Sequence, residues 1–225
     1  MRPSAPVWRA VFLGACAADL VALLAGADGA HVVLKPLLMP LLAAYVIACR
    51  GPRLLCAALL LGWCGDVALL FDQDLVFLAG MGAFAVGHVC YLVLFKRHGT
   101  PRARGALLAA AYGVALAVTV VALWPDLPPD MRGPVAAYSV LLTCMAFASS
   151  RLGAAAGVGG ALFLLSDSLI ATGIADWPAL PRPDFWVMGT YVAAQYLLAR
   201  GVLGERAAGP SAYGEKRVET RRVAH

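Results

Sequence analysis

Charged residues are scarce in this sequence. Lys, Arg, Asp and Glu make up 14% of its 225 residues, whereas hydrophobic residues make up 61%. Soluble globular domains are about 25% charged and about 45–50% apolar, so the composition excludes an ordinary soluble domain. The apolar residues fall into blocks of about 17–22 residues, the length at which a helix crosses a hydrocarbon core of about 30 Å. The sequence therefore predicts an all-α polytopic membrane protein.

Two motifs that would indicate other classes of protein are also missing. The six cysteines include no CxxC pair, so they indicate neither a zinc site nor a disulfide framework. The first apolar block carries Asp19 and is about twenty residues long, so we expect a span rather than a cleavable signal peptide. The net charge of +5 is explained by membrane topology and does not indicate binding to nucleic acid.

The apolar blocks predict a bundle of eight transmembrane helices. Their approximate positions are 7–26, 33–49, 54–71, 75–95, 105–124, 134–150, 154–175 and 185–203. The connections are short and contain Gly or Pro, so we expect one domain over residues 1–203. Residues 204–225 are basic and lack apolar periodicity, which predicts a disordered tail.

The distribution of positive charge predicts the orientation of the bundle. Fifteen of the eighteen Lys and Arg residues lie in the two terminal segments and in the connections after the second, fourth and sixth spans. The other connections carry mainly Asp. The positive-inside rule then places both termini in the cytoplasm, which requires an even number of spans. A bacterial-type inner (plasma) membrane is the expected location.

A few polar and ionisable side chains interrupt the apolar blocks. A carboxylate at the centre of a membrane helix costs roughly 2.5–3.5 kcal/mol, so such groups are expected to face the bundle interior and to serve a function. The residues concerned are Asp19, Lys35, Asp66, His88, Tyr91, Tyr138, Asp167, Tyr191 and Gln195.

Asp66 is surrounded by small residues. Gly62 and Gly65 precede it and allow a neighbouring helix to approach closely, which favours a packed interior position over a carboxylate at the membrane interface. Gly80 and Gly87 lie seven residues apart on the next span and predict a second close-packing stripe.

Asp167 lies between Ser166 and Ser168, whose hydroxyl groups are expected to donate hydrogen bonds to it or to cap a break in the helix. A structural role is the alternative for both carboxylates. The predicted topology places Asp66 and Asp167 in the outer halves of their spans, and Lys35 begins a span on the same side. We therefore expect these three residues to line one cavity that opens toward the outer leaflet.

Two further groups of side chains share helix faces. Phe84, His88 and Tyr91 are spaced by four and three residues, and Tyr191 and Gln195 by four. Interhelical packing and contact with a ligand explain both groups equally well.

Lys35 precedes Pro36. Proline is tolerated in a first helical turn, so we expect Pro36 to begin the second span and Lys35 to lie at its outer rim. Lys35 is either a snorkelling lysine or a cation that binds a phosphate headgroup. Asp19 has no motif around it and is a candidate partner for Lys35.

Several of these motifs occur together in a characteristic order. They are Lys35-Pro36-Leu37, Gly65-Asp66 followed by residues 80–91, Ser166-Asp167-Ser168, and Tyr191 through Gln195. In this order, and across eight spans, they resemble the YhhN-type lysoplasmalogenase family of integral membrane hydrolases. The resemblance extends from about residue 30 to residue 203.

The resemblance implies hydrolysis of the vinyl ether bond of a lysoplasmalogen, or of a related lysolipid, to a fatty aldehyde and a glycerophospho-headgroup. This reaction needs a carboxylic acid that is protonated near neutral pH and a second group that stabilises the cation or activates water. Two buried carboxyl groups that share a proton meet both needs. The implied catalytic residues are Asp66 and Asp167, and the implied substrate-binding residues are Lys35, His88, Tyr91, Ser166, Tyr191 and Gln195.

The resemblance implies no metal and no other cofactor. The expected partners are the lysophospholipid substrate and bilayer lipids, with no nucleic acid and no obligate protein partner. A metal-dependent lipid hydrolase stays an alternative. A proton-coupled transporter of a small solute or lipid is the rival class, because transporters also place Asp and His inside the membrane. The helices broken at matching positions of two halves that are expected of many transporters are not evident here.

Overall fold

Helices account for the regular structure in the part of the chain that the computed structural model describes, residues 4–71, 73–99 and 105–207. Eight α-helices follow one another in these residues without a strand, which confirms the predicted all-α architecture. They are α1 Ala5–Ala25, α2 Asp28–Ala48, α3 Arg53–Ala68, α4 Asp74–His98, α5 Gly105–Leu123, α6 Pro129–Ser149, α7 Ala154–Ile174 and α8 Pro183–Ala207. The predicted tail at 204–225 begins inside α8, and its residues 208–225 lie outside the described part.

Six of the helices, namely α1, α2, α4, α5, α6 and α7, are long and apolar enough to cross a membrane. Leu107 and Val121 on the outer surface are 74% and 72% exposed, whereas Asp66, His88 and Gln195 are at most 3% exposed. Apolar side chains outside and polar side chains within are the distribution expected of a protein surrounded by the hydrocarbon core of a bilayer. The chain is therefore an integral membrane protein in which α3 and α8 complete the bundle. The cytoplasmic location of the termini stays a prediction.

Helix α8 lies at the centre of the packing. Helices α1, α2, α3 and α4 pack against one another in chain order, α4 packs against α6, and α6 and α7 lead back to α8. Helix α8 also contacts α1, α2, α3 and α4. Helix α5 lies outside this ring against α6 and, over a smaller area, α7. Leu123 at its end is buried, and most of its other side chains face outward.

Glycines on α3 and α4 bring these two helices into close contact. A Cβ added to Gly80 would lie 2.8 Å from the Cβ of Ala68, and one added to Gly87 would lie 3.3 Å from the carbonyl oxygen of Ala58. The predicted close-packing stripe on α4 is confirmed. Since backbones without side chains can approach closely in lipid, this contact fixes α4 against the helix that carries Asp66.

The start of α2 differs from the prediction. The helix begins at Asp28, so Pro36 and Pro40 lie inside it and Lys35 is half-buried about two turns from its start. Pro40 has no N–H to donate to the carbonyl group of Pro36, one turn back. The indole Nε1 of Trp63 on α3 donates to that carbonyl oxygen instead (2.8 Å). The helix therefore continues through both prolines because its neighbour supplies the missing donor.

Candidate active site

Asp167 on α7 is held by a phenol from the neighbouring helix. The hydroxyl group of Tyr138 on α6 donates a hydrogen bond to Oδ2 of Asp167. The same hydroxyl oxygen lies 2.9 Å from Nε2 of His88 on α4, a residue that is 1% exposed. Helices α4, α6 and α7 therefore join an imidazole, a phenol and a carboxyl group in one hydrogen-bonded chain.

Tyr138 has one hydroxyl proton for these two partners. When it donates to an ionised Asp167, Nε2 of His88 carries a proton and donates a hydrogen bond to the hydroxyl oxygen. When Asp167 is protonated and donates to Tyr138, the hydroxyl proton turns to Nε2 instead. Nδ1 of His88 is buried and has no hydrogen-bond partner among the described residues. Tyr138 can thus hydrogen-bond the carboxyl group in either protonation state, with a different tautomer of His88 in each, while the heavy atoms stay in place.

A cavity of about 300 Å³ lies beside this chain. Its walls come mainly from α4, α5, α6 and α7, and its size is within the range of small-molecule sites. Asp167 and Tyr138 contribute the carboxyl and phenol groups of the wall. Most of the remaining wall is apolar, with side chains such as Phe77, Met81 and Leu142. A carboxyl group at the wall of an apolar cavity is an arrangement suited to acid–base chemistry on an apolar substrate.

Asp66 belongs to a second hydrogen-bonded chain. The hydroxyl group of Tyr191 on α8 donates to Oδ2 of Asp66 (2.9 Å). Nε2 of Gln195, one turn further along α8, donates to the hydroxyl oxygen of Tyr191 (3.2 Å). Tyr91 on α4 donates to Oε1 of Gln195 (2.6 Å). The shared helix face predicted for Tyr191 and Gln195 is confirmed, and it points at the buried carboxylate.

Two phenylalanine rings lie between the chains. Phe84 lines the cavity, and its ring is edge-on to that of Tyr191 with centroids 6.0 Å apart. The ring of Phe163 on α7 has its centroid 4.9 Å from that of His88 and 5.4 Å from that of Tyr191. A Cβ on Gly65 would collide with the Phe84 ring. The ring therefore fills the space that the glycine leaves free beside the buried carboxylate.

The prediction that both carboxylates and Lys35 line one cavity is wrong in part. Asp167 lines the cavity, but Asp66 and Lys35 are not among its wall residues. The physical reason is the ring of Phe84, which occupies the position between the cavity and the chain that contains Asp66.

Asp19 does not take Lys35 as its hydrogen-bond partner. Its Oδ1 accepts a hydrogen bond from Nδ1 of His31 (2.8 Å), which lies one turn before Lys35 on α2. The predicted spans 7–26 and 33–49 leave His31 in a connection, whereas α2 begins at Asp28, so His31 is helical and reaches Asp19 on α1.

The hydroxyl groups on either side of Asp167 contact the backbone instead of the carboxylate. Ser166 donates to the carbonyl oxygen of Val187 on α8 (3.0 Å), and Ser168 donates to that of Leu164 (2.7 Å). The expectation that these serines hold Asp167 or cap a helix break is therefore wrong. Adjacent side chains on a continuous helix do not face each other, and a serine hydroxyl readily reaches the carbonyl group one turn back.

Tyr138 is the site residue to which the sequence assigned no role. It is a phenol inside an apolar block, but no neighbouring motif indicates its partner.

Among residues 4–71, 73–99 and 105–207, no three His, Cys, Asp or Glu side chains lie together as a metal site would require. The expectation of a reaction without a metal stays a prediction, as do the individual roles of the site residues.

Known proteins are similar in sequence to much of this chain. The sequence model of the YhhN family matches residues 30–202. Lysoplasmalogenase TMEM86B of the pig, Sus scrofa, is 37% identical over 149 residues, which cover 66% of this chain and 61% of the relative. The rat protein of the same name is 31% identical over 207 residues, which cover 89% and 86%. Lysoplasmalogenase of Mycobacterium tuberculosis is 34% identical over 188 residues, which cover 76% and 71%.

The extent of these matches differs between relatives. This chain spans less than two thirds of the length of the pig and human proteins that it matches, 61% and 64% respectively. No solved structure matches the chain.

Proposed function

This chain belongs to the YhhN family, and from that premise we propose that it hydrolyses the vinyl ether bond of a lysoplasmalogen or a closely related lysolipid. The products are a fatty aldehyde and a glycerophospho-headgroup. The names of the relatives support the reaction. The observation that carries the proposal is the carboxyl group of Asp167, which is hydrogen-bonded by Tyr138 at the wall of an apolar cavity inside a membrane protein.

The chemistry has three steps. A carboxylic acid first transfers its proton to the alkene carbon that is not bonded to oxygen, and the ether oxygen shares the resulting positive charge as an oxocarbenium ion. Water then adds to the charged carbon and releases a proton to a carboxylate. The hemiacetal finally breaks its bond to the glycerol oxygen, which gives the aldehyde and the free hydroxyl group. The acid is regenerated, so no proton is consumed overall.

Asp167 is the proposed acid because it lines the cavity and Asp66 does not. Tyr138 orients its carboxyl group and, by donating a hydrogen bond, stabilises the carboxylate that the first proton transfer leaves on Asp167. Asp66, as a carboxylate held by Tyr191, lowers the energy of the cation through its negative charge. This assignment gives the leading role to Asp167.

Lys35 is the proposed partner of the substrate phosphate. It is half-buried on α2. A lysine binds phosphate as a point charge, so it holds the headgroup without fixing its rotation.

The proposal includes a bacterial-type plasma membrane with both termini in the cytoplasm, on the basis of the charge asymmetry of the connections.

The experiment compares two substrates that differ in one bond. Purified protein in detergent is given a lysoplasmalogen or its saturated 1-O-alkyl analogue, and the release of aldehyde and of glycerophospho-headgroup is measured. We expect both products from the vinyl ether and neither from the alkyl ether, which has no alkene carbon to protonate. If neither substrate is cleaved, the proposed function is wrong.

A further inference from the structure

The cavity beside Asp167 is open on one flank of the bundle. Ala115 on α5 and both Ala161 and Leu165 on α7 line the cavity and are themselves exposed. Helices α5 and α7 contact each other over a small area only. The mouth of the cavity therefore lies between α5 and α7 and faces outward from the bundle.

The surface around this mouth is one that faces lipid. Val114 and Val118 on α5 are 63% and 62% exposed, and Leu165 at the mouth itself is 48% exposed. The sequence of α5, Gly105–Leu123, contains no Asp, Glu, Lys, Arg or His. A helix of this composition lies within the hydrocarbon core, so the mouth opens to the bilayer interior.

The cavity is closed toward the nearby end of the bundle. Leu127, Met131 and Val135 pack there with Ala171 and Ala175 in a separate apolar cluster. Val135 and Ala171 of this cluster also form part of the cavity wall. A ligand that reaches Asp167 from the side of α5 therefore arrives from lipid and does not cross this cluster.

We infer that the cavity binds the hydrocarbon chain of the substrate, which enters sideways from the bilayer between α5 and α7. This inference rests on the proposed function, and it assigns the chain to a site of its own. The vinyl ether double bond is the first carbon–carbon bond of the chain. When the glycerol end of the chain lies at the polar wall of the cavity, the double bond is beside Asp167 and Tyr138.

The cavity acts on position more than on affinity. A chain that moves from lipid into an apolar cavity leaves one hydrocarbon environment for another, so the hydrophobic effect contributes little to its binding. What the cavity adds is the alignment of the reacting carbon with the carboxyl group, which contributes to the rate of the chemical step. Blocking the cavity is thus expected to exclude the chain and to slow the reaction together.

Photo-crosslinking tests the inference without requiring turnover. The probe is a saturated 1-O-alkyl lysophosphatidylethanolamine with a diazirine at mid-chain, used in detergent micelles with the whole protein. Ala115→Phe narrows the cavity, and Ala117→Phe makes the same change at an exposed position of α5 outside the wall. Ala161→Phe and its exposed control Ala155→Phe repeat the comparison on α7.

The expected adducts lie in the α5 and α7 segments that line the cavity, for wild type and for both controls. Ala115→Phe and Ala161→Phe should each reduce this labelling about tenfold, the factor that corresponds to about 1.4 kcal/mol. Undiminished labelling in both narrowed variants overturns the inference. Equal labelling of the same segments by a diacyl phospholipid probe also overturns it, because the cavity then holds ordinary bilayer lipid.

The two proposals fail in different ways. Because the alkyl ether probe is not a substrate, its labelling does not depend on hydrolysis. Absence of aldehyde release from wild type contradicts the proposed function, whereas labelling that ignores the narrowed cavity contradicts the assignment of the chain site.

Discussion

Tyr138 on α6 donates a hydrogen bond to Asp167 on α7, and its hydroxyl oxygen also lies 2.9 Å from Nε2 of His88 on α4. The carboxyl group at the cavity wall is thereby connected to a buried imidazole through one phenol. Once Asp167 has protonated the substrate, the hydroxyl proton of Tyr138 is directed at the carboxylate. The connection accounts for three polar side chains that would otherwise be costly at this depth in a membrane.

Replacing Tyr138 by Phe should slow hydrolysis about 10²-fold, the lower end of the range for acid–base assistance by one side chain. The substitution removes the hydroxyl group and keeps the ring, which packs against His88 with centroids 5.5 Å apart. The fold should therefore survive. The measurement is kcat for aldehyde release, with Tyr112→Phe, a phenol on α5 outside the cavity wall, as the matched control. An unchanged kcat in Tyr138→Phe would show that the phenol takes no part.

Gly65→Ala should destabilise the protein by about 1–3 kcal/mol, as expected for overpacking at a close helix contact. A Cβ at this position collides with the ring of Phe84. Gly82→Ala is the control, because a Cβ there meets no atom within 4 Å, and it should leave the melting temperature unchanged or raise it. Thermal unfolding in detergent measures both. If Phe84 is the obstacle, Gly65→Ala should cost less stability in a Phe84→Ala background than in the wild-type protein.

Lys35→Gln should weaken the use of phosphate-containing substrates alone. Loss of a charge-assisted contact is expected to lower kcat/KM for a lysoplasmalogen about tenfold. The matched substrate is a 1-alkenylglycerol, which has the vinyl ether and no phosphate, and its hydrolysis should be unaffected. The two kcat/KM values are measured side by side. An equal decrease for both substrates would mean that Lys35 acts on the reacting bond and not on the headgroup.

Hydrolysis in D2O should place one deuterium on the aldehyde carbon next to the carbonyl group. Proton transfer to that carbon is the first step of the proposed chemistry, and the acid exchanges its proton with solvent between turnovers. Mass spectrometry of the trapped aldehyde measures the label, and aldehyde incubated with the protein in D2O corrects for later exchange. Aldehyde without deuterium would exclude protonation at carbon.

The sequence was sufficient to predict the helices and one side of the site. The lengths of the apolar blocks indicated eight helices, because the thickness of the hydrocarbon core sets the length of a helix that crosses it. Helical spacing put Tyr191 and Gln195 on one face, and the structure places that face toward Asp66. Periodicity within one helix is a local property, so one sequence suffices to reveal it.

The rest of the site depends on which helices meet. Hydropathy indicates that Tyr138 and Asp167 are each interior, but it does not indicate that α6 and α7 place them in contact. The position of Phe84 between the two carboxylates follows from the crossing of α3 and α4. The predicted start of α2 at Pro36 was wrong because the hydrogen-bond donor for the carbonyl group of Pro36, the indole of Trp63, comes from another helix. All of these are tertiary relationships between residues far apart in sequence.

The most direct measurement of the central claim is the rate of aldehyde release by Asp167→Asn. Asparagine has nearly the same shape, and its side-chain oxygen can still accept the hydrogen bond from Tyr138, but it has no acidic proton to transfer. The control is Asp176→Asn, the same change at an exposed carboxylate just beyond α7. We predict a loss of about 10²–10⁴-fold in kcat for Asp167→Asn and wild-type activity for Asp176→Asn. Wild-type activity in a folded Asp167→Asn protein would contradict the account.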